Sequence, residues 1–333
     1  MATISYHYAN ASLGGMVKRG FDMQKILMSA GINPKLTAQP AARVSDSQMT
    51  RLIQIVWQTL DDEFMGFTQT ACKYGAFTLM AKSVRRCETL REALEIGTEL
   101  YNRFTDEIHT ELTVTEKTAQ ISASFTAPEL DPNHFFQEFW LVIWHRFASW
   151  LINRKIPLFH ANLTYPEPAH TIELNYLFPC LLRFECSKNQ LIFDNQYLNL
   201  QPVRSETELE KFLENSPAEL MTIPGDDRSL KQKIAKLIAK QHTKELIFPT
   251  LSQIANHLHV TQQTLHRRLT QEGTSFQKIK DNVRRDIAVT RLIKDRMPVN
   301  QVAELVGYSE SRSFSRAFKH WTGLSPREFC KFV

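Results

Sequence analysis

Gln262, Gln263, His266 and Arg267 form one cluster of polar side chains at helical spacing, and Ser311, Arg312, Ser315, Arg316 and Lys319 form another. A guanidinium can donate two parallel hydrogen bonds to a guanine edge and an amide can pair with adenine, while hydroxyl and imidazole groups fit several bases. That chemistry requires a helix that holds its polar face in a major groove and anchors its other face in a core. The intervening residues supply such an anchor: Leu265 and Leu269 in the first cluster, and Phe314, Ala317, Phe318 and Trp321 in the second. Both stretches therefore read as amphipathic helices with one face committed inward.

The elements that would position them repeat. Ser252–Thr261 recurs as Asn300–Ser309, with Ile254, Ala255 and Val260 matching Val302, Ala303 and Tyr308 at an offset of 48 residues. The helices that follow match at 49, pairing Leu265 with Phe314, Arg267 with Arg316 and Leu269 with Phe318. Each copy is a short helix with a small alanine, a tight turn, a polar N-cap (Thr261 or Ser309) and a second helix. This is the helix-turn-helix plan, placed at about 251–271 and 299–320. Between the copies, Phe276 to Lys294 holds no Gly or Pro and keeps Ile279, Val283, Ile287, Ala288 and Leu292 at helical spacing. Such a helix is about 28 Å long. One DNA turn is about 34 Å, so a rod of this length suits two recognition helices in successive major grooves.

Charge follows the same division. Residues 231–333 hold 19 Lys and Arg against 8 Asp and Glu, a net of +11, and residues 1–230 a net of −6, within a whole-chain net of +5. A basic third on an acidic body points to a polyanion partner for that third, although a solvated basic surface gives the same count. Between them, Asn215-Ser216-Pro217 to Pro224-Gly225-Asp226-Asp227 reads as a linker. The expected organisation is an effector-sensing and dimerising domain over 1–214, a linker over 215–229 and a DNA-binding domain over 230–333. With 43% hydrophobic and 23% charged residues, the chain has ordinary globular composition, which excludes disordered and fibrous classes. The apolar patch Phe139–Trp144 stops at His145 and Arg146, too short for a membrane span. Five scattered cysteines with no C-x-x-C pair fit a reduced compartment, and the expected location is the cytoplasm.

Residues 250–329 resemble the DNA-binding domain of the AraC/XylS transcription regulators. The resemblance rests on Thr264-Leu265-His266-Arg267-Arg268-Leu269, Glu272-Gly273-Thr274-Ser275-Phe276, Val283-Arg284-Arg285 and, above all, the closing run. That run holds Val306-Gly307-Tyr308-Ser309-Glu310, Phe314-Ser315-Arg316-Ala317-Phe318-Lys319, Trp321-Thr322-Gly323 and Ser325-Pro326. One departure is Cys330, where the family more often has arginine; that removes at most a phosphate contact. Upstream, Tyr165-Pro166-Glu167-Pro168-Ala169-His170, Tyr176, Phe178, Cys180, Phe184, Asn189, Leu191, Phe193-Asp194, Leu198 and Pro202 resemble the arabinose-binding-type sensor domain of one branch of these regulators. The label does not imply that arabinose binds.

In the N-terminal half, Met16–Ser29, Asp46–Leu60, Thr89–Phe104 and Pro132–Ile152 keep helical spacing. Glu107–Val114 and Thr118–Phe125 alternate as a hairpin, and Leu158–Tyr165, Leu181–Glu185 and Gln190–Asp194 add strand candidates. The expected fold is α+β, helices around a small antiparallel sheet, followed by an all-α domain with two helix-turn-helix motifs joined by a long helix. Phe135, Phe136, Phe139, Trp140, Trp144, Phe147 and Trp150 crowd one helix on several faces. Phe136, Trp140, Trp144 and Phe147 are candidate effector-pocket residues, although such helices are more often plain core.

The chain has no H-E-x-x-H, G-x-S-x-G, dinucleotide fingerprint or Walker A run; Gly15 and Gly20 have P-loop spacing, but Phe21-Asp22 follow. His257, His259 and His266 fall in or near a turn and on a recognition helix, which argues against zinc, and His134, His145 and His160 read as core groups. No catalytic residue, metal or cofactor is expected. The expected function is a sequence-specific, effector-responsive transcription regulator, an activator in preference to a repressor. Its partners would be double-stranded promoter DNA, a small and largely apolar effector, RNA polymerase if it activates, and a second copy of the chain, with no membrane. The alternatives are a DNA-repair or alkyl-transfer enzyme, which needs a reactive cysteine, and a redox-sensing regulator using Cys180 and Cys186.

Overall fold

A computed structural model describes residues 3–34, 43–217, 230–245, 247–272, 274–293, 295–322 and 324–332. From the N-terminus these form β1 (Thr3–Ser5), α1 (Tyr6–Ala11), α2 (Gly14–Lys18), α3 (Met23–Ser29), β2 (Arg43–Ser45), α4 (Asp46–Leu60), α5 (Ala76–Val84) and α6 (Leu90–Phe104). The chain continues through β3 (Ile108–Val114), β4 (Thr118–Phe125), α7 (Phe135–Leu151), β5 (Leu158–Asn162), α8 (Thr171–Leu177), β6 (Leu181–Arg183), β7 (Asn189–Asp194) and α9 (Glu206–Glu214). The remainder is helical: α10 (Leu230–Glu245), α11 (Leu251–His257), α12 (Gln262–Gln271), α13 (Phe276–Ile293), α14 (Val299–Leu305), α15 (Ser311–Thr322) and α16 (Pro326–Phe332).

These elements make two compact units, neither continuous in sequence. One comprises residues 7–21 and 53–226, the other residues 1–6, 22–52 and 227–333. The first unit is built on a five-stranded sheet in the order β3-β4-β7-β5-β6. All neighbours pair antiparallel except β5 and β6, which run parallel. The sheet is thus mixed rather than antiparallel, because α8 carries the chain from β5 to β6 and lets β6 start beside β5 in the same direction. Helix α7 packs on the sheet and is buried at every one of its 17 positions.

A helix buried all round must place its polar side chains against partners, and Gln137, Glu138, His145 and Arg146 each have at least one. Glu138 accepts from the Tyr8 hydroxyl at 2.8 Å and the Tyr165 hydroxyl at 2.7 Å, and lies 2.9 Å from His170 Nε2. Asn189 donates to Gln137 at 3.1 Å, and Arg146 donates to the Leu177 carbonyl at 2.7 Å. His145 sits 2.8 Å from the Ile156 carbonyl, and burial pushes its pKa down to about 3, so a neutral ring donates that bond. Asp131 accepts from the Phe136 and Gln137 N–H groups at the start of the helix.

The second unit holds α10–α16 around a core that includes Ile254, Leu265, Val283, Val302, Phe314 and Phe318. It also takes in chain from far upstream. Helix α3 packs on α16, Gln48 donates to the Gly31 carbonyl, and Arg285 donates to Ser45 Oγ at 2.6 Å. The expected boundary, one domain over 1–214 and another from 230, therefore omits 1–6 and 22–52 from the unit they pack into. Of the expected linker 215–229, the stretch 218–229 with Pro224-Gly225-Asp226-Asp227 lies outside the described residues. The single helix expected over Met16–Ser29 is two, α2 and α3, because Gly20 adopts φ +80° and Asp22 caps the second through Gln24 N and Lys25 N.

Arg284 of α13 spans the two ends of this unit. Its guanidinium lies 4.9 Å from the centre of the Phe248 ring, just before α11, and 5.1 Å from that of Tyr308, in the turn after α14. Gly307, with φ +78°, makes the turn, and a Cβ there would stand 3.3 Å from Arg284 Nη2 and 3.4 Å from the Phe248 ring. A Gly307→Ala substitution is expected to destabilise the chain by about 1–2 kcal/mol, since it combines left-handed backbone with crowding. Urea denaturation followed by circular dichroism measures this, and an unchanged midpoint would contradict it.

Candidate nucleic-acid interface

The first helix pair is set by its caps. Thr250 and Gln253 form a reciprocal capping box at the start of α11: Gln253 N donates to Thr250 Oγ1 at 3.3 Å, and Thr250 N donates to the Gln253 side chain at 2.8 Å. Ile254 and Ala255 are buried, and the chain turns through His259 at φ +53°. Thr261 then caps α12, accepting from Thr264 N at 3.1 Å. Leu265 and Leu269 anchor α12 in the core, while Gln262, Gln263, His266 and Arg267 are all exposed.

The second pair follows the same plan with one more residue in the turn. Residues 258–261 join α11 to α12, whereas 306–310 join α14 to α15. That extra residue explains why the repeat shifts from an offset of 48 to 49. It also moves the cap: α15 begins at Ser311, so Glu310, not Ser309, precedes the helix, and the Glu310 carbonyl accepts from Phe314 N at 3.1 Å. Phe314 and Phe318 are fully buried, while Ala317 and Trp321 are half-buried. Ser311, Arg312, Arg316 and Lys319 are exposed and Ser315 is half-buried. The structure thus brings the named residues together as two clusters, one per helix. Arg267 and Arg316 occupy matched exposed positions over matched buried anchors.

Other basic residues of this unit are structural, and residue type alone did not distinguish them. Arg285 is buried and binds Asp286 at 2.8 Å as well as Ser45. Lys280 donates to the Pro249 carbonyl at 3.2 Å. Glu272 caps α10, accepting from Leu230 N at 2.9 Å and Lys231 N at 3.0 Å. Lys231 is half-buried, and burial lowers its pKa.

In the sheet-bearing unit, a narrow crevice with room for about one water is lined by Trp57, Glu63, Phe64, Phe77, Tyr101, Trp140 and Ile143. Of the four candidate pocket residues, only Trp140 reaches it. Phe136, Trp144 and Phe147 are each 1% exposed and lie in the packed core, where Trp144 comes within 3.2 Å of a Cβ built on Gly97. Glu63 accepts from Gly75 N and Phe77 N, each at 2.7 Å, and its neighbour Asp62 accepts from Phe64, Gly66 and Cys72. Burial pushes the Glu63 carboxyl up to about 7.

The thiols run against the two cysteine-based alternatives. All five are free, and burial pushes Cys72 up to about 12 and Cys180 to about 11, away from the thiolate that transfer or redox chemistry needs. Among the described residues, no three His, Cys, Asp or Glu side chains converge as metal ligands, and no helix is long and apolar enough to cross a membrane.

Comparison with known proteins agrees with this geometry. Residues 20–202 match the family described as the arabinose-binding domain of AraC transcription regulator, N-terminal, and residues 254–331 match a helix-turn-helix domain. The chain is 23% identical to the ornithine utilization regulator of Pseudomonas aeruginosa over 323 residues, covering 97% of this chain and 94% of that protein. It is 30% identical to the virulence regulon transcriptional activator VirF of Shigella flexneri over 101 residues, covering 30% of this chain and 37% of the relative. The crystal structure of the transcriptional regulator CdpR from Pseudomonas aeruginosa aligns over 98% of this chain and 97% of its own at 19% identity, with a TM-score of 0.34. The exposed recognition faces and the matched families lead to one conclusion: the chain is a DNA-binding transcription regulator of the AraC family, with an arabinose-binding-type effector domain before its helix-turn-helix domain.

Proposed function

We propose that the chain reads one promoter site through two helix-turn-helix motifs joined by α13, with α12 and α15 in successive major grooves. The observation that carries this reading is the pairing of Arg267 with Arg316, each exposed over a buried Leu or Phe anchor. Helix α13, 18 residues long, spans about 27 Å, within reach of one DNA turn of about 34 Å. Gln262, Gln263 and His266 flank Arg267, and Arg312, Ser315 and Lys319 flank Arg316, so each helix offers both base-reading and phosphate-binding groups.

The N-terminal half serves as the sensor in this reading, taking a small, largely apolar effector against the Trp140 side of α7. The regulator acts in the cytoplasm as a homodimer, and as an activator in preference to a repressor, meeting RNA polymerase at the promoter. An effector shifts it only by preferring one arrangement of the chain, and each 1.4 kcal/mol of preference gives about a tenfold shift.

The test uses the full chain and a promoter site found by mapping its bound sites genome-wide. Arg267→Ala and Arg316→Ala are each expected to weaken that site by about 1–3 kcal/mol while leaving random DNA nearly unaffected. Equal losses on both DNAs in mobility-shift titrations would reduce these arginines to phosphate contacts. For the parent chain, log K is expected to fall with log salt by about 0.9 per phosphate neutralised. A slope near zero would remove the electrostatic basis of the reading.

A further inference from the structure

We propose that residues 22–52 act as a splint on the DNA-reading helices, with Ser45 and Arg285 as positioning residues for DNA binding. The matched families place residues 20–202 in one domain and 254–331 in another. The packing instead puts 22–52 in one compact unit with 227–333. Over their described stretches, 22–34 and 43–52, these residues meet α13 and α16 and leave Arg267 and Arg316 exposed, so the splint is compatible with bound DNA.

Where the segment meets α13 the joint is polar and buried. Arg285 is 7% exposed, and every arm of its guanidinium is engaged. Nε and Nη2 donate to Asp286 at 3.1 and 2.8 Å, Nη1 donates to Asn282 at 3.3 Å, and Nη2 also donates to Ser45 Oγ at 2.6 Å. Ser45 is itself fixed, because it and Gln48 bond reciprocally at the start of α4. Gln48 N donates to Ser45 Oγ at 3.1 Å, and Ser45 N donates to the Gln48 side chain at 3.0 Å. Burial shifts two further groups of α4, Asp46 upward and Arg51 downward, and Asp286 and Arg285 are among the charges that act on both. A planar fork binds several oxygens in set directions, so this joint fixes an orientation as well as a distance.

The segment also reaches both helix pairs. Gly31, at φ +75°, lies where a Cβ would stand 3.7 Å from Val289 of α13 and 4.0 Å from Phe329 of α16. Helix α16 packs in turn on α15, the second recognition helix, and α10 packs on α12, the first. Burial lowers the pKa of Lys231 on α10 and the Asp46 carboxylate opposes that shift, which places the start of α4 near the first pair. Leu27, Ala30, Ile32 and Val44, none more than 1% exposed, give the segment an apolar inner side. Two recognition helices keep one separation and phase only if the helices behind them are held, and residues 22–52 hold them.

The inference rests on the two-groove reading, since a splint matters where two helices must stay in register. The test uses the full chain, its mapped site and the same site with one base pair inserted between the two contacted grooves, which moves them about 3.4 Å apart and turns them by about 35°. The parent chain is expected to bind the inserted site at least about tenfold less tightly, because one recognition helix leaves its register. Arg285→Met, which cuts the bonds to both Ser45 and Asp286, is expected to weaken the natural site about fivefold and to shrink the insertion penalty to about threefold. Loss of folded chain alone would lower both affinities by one factor and leave the penalty at its parental value. If Arg285→Met does not fold, Ser45→Ala takes its place: it severs the joint from the other side, leaves Arg285 with Asp286 and is expected to reduce the penalty about twofold. A penalty unchanged in the variant would overturn the splint and leave the two-groove reading standing. A parent chain indifferent to the inserted base pair would contradict the two-groove reading and the splint with it.

Discussion

The guanidinium of Arg284 between Phe248 and Tyr308 is the contact on which the DNA-binding half depends. Phe248 leads into the first helix pair, Tyr308 lies in the turn of the second, and Arg284 belongs to the helix between them. A planar, delocalised cation can lie against two aromatic rings at once, which a lysine ammonium does less well. Such contacts are worth about 0.5–2 kcal/mol each, depending on how far they are desolvated. The energy is modest, but the geometric consequence is larger. Two recognition helices can read one site only if their separation and phase are fixed, and Arg284 ties both pairs to one rod. Asp281, one turn earlier on α13, lies 3.8 Å from the same guanidinium and helps to hold it.

The sheet-bearing half is organised by the opposite device, a helix with no solvent face. Because α7 is buried throughout, its apolar residues need rings on every side and its polar residues need partners in specified places. Phe136 lies 5.5 Å from Phe67 in a stack, and Phe147 packs at 5.3 Å against Phe77. Glu138 gathers two tyrosine hydroxyls and a histidine from α1, from the chain after β5 and from the start of α8. An unsatisfied group there would cost about 1–3 kcal/mol, so these partners help to define a unique packing of α7.

Local chemistry was legible in the sequence, and long-range chemistry was not. The α11–α12 and α14–α15 pairs, α13 and the exposed faces around Arg267 and Arg316 follow from periodicity, small residues and caps within a few dozen residues. The shift from 48 to 49 already recorded the longer second turn, although the cap was placed at Ser309 instead of Glu310. By contrast, nothing near residues 22–52 announces that α3 packs on α16 or that Ser45 meets Arg285, because those partners lie 240 or more residues away. The parallel β5–β6 pair depends on α8, a seven-residue helix too short to show a clear period. Arg284 and Arg285 are adjacent basic residues in one motif, and only the fold shows that one clamps rings and the other binds Asp286. For α7 the aromatic crowding was visible, but which of its rings border space was not: Trp140 does, while Trp144 and Phe147 are core.

Two recognition helices on one chain imply that one protomer reads two grooves. Hydroxyl-radical footprinting of the full chain on a fragment carrying one mapped site measures this directly. Each protomer is expected to protect two patches on the same face of the duplex, about 10 base pairs apart. The Arg316→Ala chain is expected to lose one of the two and keep the other. A single patch per protomer, or two on opposite faces of the duplex, would contradict the account.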